Sequence, residues 1–96
     1  MAQIVIKPKI SANLTILIKS AVENQLLLID FGIAKTKRKL RELEKEFGRN
    51  SSSFYEKFNE GKLGDNFKYV RWAGEYETLE KLQEDYNDLK DLELCS

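Results

Sequence analysis

Along QLLLIDFGIAKTKRKLRELEKEF the positions Leu26, Ile29, Ile33, Thr36, Leu40, Leu43 and Phe47 follow one another in alternating steps of three and four. That spacing keeps one stripe of a helix facing a neighbouring helix. Upstream, Leu14, Leu17, Ile18, Ala21 and Val22 continue in helical register, with Ser11 or Asn13 placed to cap the first amides. Gly48 supplies the stop. The pattern predicts a helix over 13–47. At 1.5 Å per residue such a helix is about 50 Å long, whereas a compact domain of this length has a radius of gyration near 12 to 13 Å. It must protrude from any simple globule.

The stretch before this helix, QIVIKPKI, places Ile4, Ile6 and Ile10 on one parity. It predicts a short strand within 1–10 that Pro8 confines to a sheet edge. After Gly48, Ser53 followed by Glu56 matches a capping box, and Phe54 and Phe58 share a face, which predicts a short helix over 53–60. Asp65 can then cap a last helix over 66–94, with Trp72, Leu79 and Tyr86 seven apart and Leu82 and Leu89 completing the stripe. Gly61 and Gly64 between them permit the backbone angles that end one helix and begin the next. Phe58, Phe67, Tyr69, Trp72 and Tyr76 crowd around that break, enough aromatic area to fix a short corner. The fold class expected is all-α, a single domain built as a long antiparallel helical hairpin with a short intervening helix and a short N-terminal edge strand.

The middle of the first helix is apolar on more than one side, because Leu26, Leu27, Leu28, Ile29, Phe31, Ile33 and Ala34 cover most of its circumference. One returning helix cannot bury all of it, so a homodimer or higher assembly is expected, with Leu28, Ile29 and Phe31 as partner-binding candidates. Gly32 inside this belt suits the close approach of a second backbone, or is simply tolerated. Ile4 and Ile6 on an open strand edge could add to a partner's sheet or pair with their own copy. Core packing is the ordinary role for Trp72 and Tyr76; the alternative is that one of them is a partly exposed binding anchor.

Composition narrows the chemistry. The 96 residues contain no histidine and one cysteine, Cys95. An intramolecular disulfide is therefore out of reach, and the usual general base and zinc ligand are missing. Carboxylate pairs such as Glu77 with Glu80, or Glu84 with Asp88, have the helical spacing of metal sites but lack the histidines those sites add. Gly61-Lys62-Leu63-Gly64 is too short for a phosphate-cradling loop. The expectation is no enzyme, no metal and no cofactor. The longest apolar run, Leu26 to Ile29, is far short of a membrane span, and the amino end lacks the features of a secretory signal, so a soluble, cytoplasmic protein without membrane partners is expected.

Net charge is zero but unevenly spread, since residues 1–41 hold eight Lys/Arg against two acids and residues 42–96 hold eight against fourteen. Within KTKRKLRE, Lys35, Lys37, Arg38, Lys39 and Arg41 form the densest basic stretch, a candidate nucleic-acid face. The competing expectation is that four acids of the last helix lie across from it in ion pairs. A ribbon-helix-helix arrangement is excluded because no turn divides residues 14–47 into two helices.

The succession FGRNSSSFYEKFNEGKLGDNFKYVRWAGEYETLEKL, Phe47 to Leu82, resembles the small prokaryotic helical antitoxin-like proteins of type II toxin-antitoxin operons. The shared pattern is Phe-Gly, a short Phe-x-x-x-Phe helix, Gly-x-Leu-Gly-Asp, an aromatic, then Trp and a Leu-rich acidic helix. The resemblance covers about a third of the chain closely and the preceding helix loosely. It implies an antitoxin that neutralises a cognate toxin by stoichiometric protein-protein binding. A DNA-binding autorepressor and a structural coiled-coil adaptor are the alternatives.

Overall fold

A computed structural model describes residues 11–94, and 87% of them are helical. Three helices follow in order: α1 over Ala12–Phe47, α2 over Ser51–Asn59 and α3 over Phe67–Leu94. Among the described residues there is no strand. The strand expected within 1–10, with Ile4 and Ile6, lies outside the described residues, as does Cys95. The molecule measures 57 × 26 × 20 Å with a radius of gyration of 18.7 Å. It is a rod, as the length of α1 requires.

α1 and α3 run antiparallel and supply most of the tertiary contact. The stripe expected on α1 faces α3: Leu26, Ile29, Thr36 and Leu40 are buried, and Ile33, Leu43 and Phe47 are half-buried. On α3, Trp72 is buried and Leu79, Leu82, Tyr86 and Leu89 are half-buried. Gly32 sits opposite Leu82, whose Cδ1 would lie 3.2 Å from a Cβ built on the glycine. The close neighbour is thus a side chain rather than a second backbone. Ile29 shares a shallow cleft with Asp85, Asp88 and Leu89, so α3 runs out about level with Ser20 and the first turns of α1 project beyond it.

The other end is an aromatic corner. Trp72 has no exposed surface and is sandwiched between Phe54, 3.9 Å away and nearly parallel at 5°, and Phe47, 5.5 Å away at 21°. Tyr69 stands edge-on to Phe47 at 5.2 Å, and Tyr55 meets Tyr76 at 4.7 Å. The indole N–H donates to Ser51 Oγ at 2.9 Å, and Ser51 Oγ in turn donates to Glu44 Oε2 at 2.8 Å. The backbone N–H of Ser51 donates to the same carboxylate oxygen at 2.8 Å. The chain Trp72–Ser51–Glu44 therefore links all three helices and places a carboxylate at the positive end of α2.

Several local expectations shift. α2 begins two residues before the predicted start, because Asn50 rather than Ser53 is its cap, accepting from the Ser53 N–H at 2.8 Å. Glu44 from α1 stabilises that extra turn. For α3, Asn66 rather than Asp65 accepts the first-turn amide, from Lys68 at 2.8 Å, and the helix starts at Phe67. Ser11 caps α1, which starts at Ala12. Gly48, Gly61 and Gly64 all have positive φ, 62°, 74° and 77°, as the two turns demand. Phe67 does not join the corner; it is 77% exposed, and Phe47 and Phe54 fill the space instead.

Candidate functional site

The face of α1 turned away from α3 carries a second row. Leu14, Leu17, Ala21, Asn24, Leu28 and Phe31 follow in steps of three, four, three, four and three, about a third of the way round the helix from the α3 stripe. All six are exposed, Leu28 at 63% and Phe31 at 64%. Ile18 and Leu27 widen the row and are about half exposed. The charged residues of this stretch, Lys19, Glu23 and Asp30, fall on the opposite side of the helix. An exposed apolar strip of this continuity is uncommon on a lone chain.

Of the residues marked as partner-binding candidates, Leu28 and Phe31 lie on this row. Ile29 does not: it is 6% exposed and packs toward α3. Trp72 is wholly buried, so the alternative role of an exposed anchor does not fit it, and Tyr76 is half-buried against Tyr55. Sequence reasoning missed Leu14, Leu17 and Asn24 as parts of a separate row. The signal was the repeat itself, which was merged with the stripe facing α3 because both run on one helix.

The basic stretch divides. Lys39 pairs with Glu75 of α3 at 3.3 Å. Lys35, Lys37, Arg38 and Arg41 are exposed and, among the described residues, take part in no ion pair. The expected facing row of four acids is therefore one acid, because most acids of α3 lie farther along toward its C-terminal end, level with the apolar part of α1. An open cleft beside this stretch is lined by Lys37, Leu40, Arg41, Glu44, Tyr76 and Leu79 among others. Glu44 already fills the anion position at the start of α2. A smaller apolar patch, Phe67 and Val70, sits at the start of α3 beside Lys68, which pairs with Glu46.

Among the described residues no three His, Cys, Asp or Glu side chains gather as a metal would require. No helix among the described residues is long and apolar enough to cross a membrane. Comparison with protein-family models, curated proteins and solved structures gives no match to the chain.

Proposed function

We propose that the chain acts by binding other protein chains and that it serves as the antitoxin of a toxin pair, neutralising a cytoplasmic toxin by stoichiometric contact. The observation that carries the binding part is the apolar surface that the fold leaves uncovered, the α1 row together with Phe67 and Val70. The resemblance of Phe47 to Leu82 to antitoxin-like proteins supports the toxin as partner. Co-expression with the neighbouring open reading frame tests it. The neighbour should arrest growth alone and lose that effect when this chain is made in equal or greater amount. A harmless neighbour, or one that stays toxic, sinks the antitoxin reading and leaves a structural coiled-coil adaptor.

A second reading has its own observation, the exposed Lys35, Lys37, Arg38 and Arg41, which form no ion pair among the described residues. Those cations suit phosphate contacts, so the chain would also repress its own operon by binding DNA. Operator binding of this kind falls steeply with salt. Retained binding after Lys37, Arg38 and Arg41 are all changed to Gln excludes that face.

A further inference from the structure

We infer that the row Leu14, Leu17, Ala21, Asn24, Leu28 and Phe31 is the seam along which a second copy of the chain packs, antiparallel to the first. The inference rests on the reading of uncovered apolar surface as interface and commits this row to self-association, leaving a toxin to bind elsewhere.

The chain cannot cover the row with its own α3. That helix occupies another face of α1 and runs out about level with Ser20, so Leu14 and Leu17 lie on turns that project past it. The row has the repeat of a helix seam through three pairs of positions, and its flanking positions on α1, Ile18, Gln25, Leu27 and Ala34, are neutral, so the charges at its edge are Asp85 and Asp88 of α3, which share a cleft with Gln25. The exposed fractions of its large side chains, with Ile18 and Leu27, correspond to roughly 600 Å² of apolar surface, against about 800 Å² per partner in a standard interface.

Charge chooses the direction. In a parallel, in-register pair the stretches Lys35 to Arg41 of both copies would lie side by side, and four cations of each have no ion-pair partner among the described residues. In an antiparallel pair with Leu14 opposite Phe31 and Leu17 opposite Leu28, the centres of the two stretches are over 40 Å apart along the axis, several screening lengths at physiological salt. Ala21 then faces Asn24. The small alanine leaves room for the two Asn24 amides to meet near the twofold axis, and a lone polar pair in an apolar seam penalises every slipped register.

Light scattering on the full chain at micromolar concentration tests this, with twice the 11.2 kDa chain mass expected. Leu17→Lys combined with Leu28→Lys should halve the measured mass and keep the helical spectrum, because both side chains are exposed within one chain. Direction is read in a Cys95→Ser background. Under oxidation, Leu14→Cys mixed with Phe31→Cys should give mainly the mixed disulfide, and Leu14→Cys alone little dimer. A monomeric parent, a dimer that survives the two lysines, a Leu14→Cys dimer as abundant as the mixed one, or a row occupied only by a foreign protein each overturns the inference. Growth rescue by the double-lysine variant is scored separately, so loss of the dimer and loss of toxin neutralisation are told apart.

Discussion

The two ends of α1 have nearly the same apolar rhythm and opposite surroundings. At one end Leu40, Leu43 and Phe47 meet an aromatic sandwich closed by a hydrogen-bonded indole; at the other, Leu14 and Leu17 face solvent. Periodicity makes a helix amphipathic, but only a second surface makes the apolar side a core. At the corner the chain supplies that surface itself, because two short turns bring α2 and α3 back onto α1. At the far end α3 stops too soon. Stability within one chain is therefore concentrated at the corner.

The largest effect expected from this contrast is at Trp72. Trp72→Ala empties the sandwich and should cost about 3 to 5 kcal/mol in a urea melt, a large part of the stability of a domain of this size. A loss below about 1 kcal/mol would mean that the corner is not where the stability lies. Ser51→Ala comes next. It leaves the buried indole N–H without its acceptor and removes one donor from Glu44, an expected cost of about 1 to 3 kcal/mol.

The corner also shows what the sequence makes legible. The α1 stripe and the stop at Gly48 follow from spacing and one glycine, both local properties, and both stand in the structure. The start of α2 is legible only in part: its cap, Asn50, is local, but Glu44, which accepts from the Ser51 N–H, belongs to α1 and reaches Ser51 only once the turn has formed. Phe67 counted as a corner aromatic by proximity in sequence, yet its place in the first turn of α3 points it outward. The candidate site was legible as a repeat but not as a site. Which of two interleaved rows is left open depends on the face of α1 that α3 takes.

Smaller effects sharpen the comparison. Gly74 lies inside α3 with nothing within 4 Å of a built Cβ, so Gly74→Ala should stabilise by about 0.5 to 1 kcal/mol. In the Leu17→Lys/Leu28→Lys background, Leu14→Ala should move the melt by no more than about 0.5 kcal/mol; a cost above about 2 kcal/mol would show that the far end packs against its own chain. Least of all is the surface pair of Lys81 and Asp85, 3.0 Å apart. The hydrogen bond to Asp85, with its charge, raises the Lys81 pKa above the ordinary 10.5. Its contribution is complete below pH 10.5 and disappears as pH rises through the higher folded value, so Lys81→Met should lower the neutral-pH midpoint by a small amount and flatten the alkaline limb.

The sandwich around Trp72 has an optical consequence. The chain has one tryptophan, and its indole is sealed between two phenyl rings far from the projecting turns of α1. Its fluorescence therefore reports on the corner alone, while far-ultraviolet dichroism is dominated by the two long helices. A partner that settles along the row should leave the emission maximum where it was, and one that pries the hairpin apart should shift it to the red. Two instruments thus separate docking from opening without any label being attached.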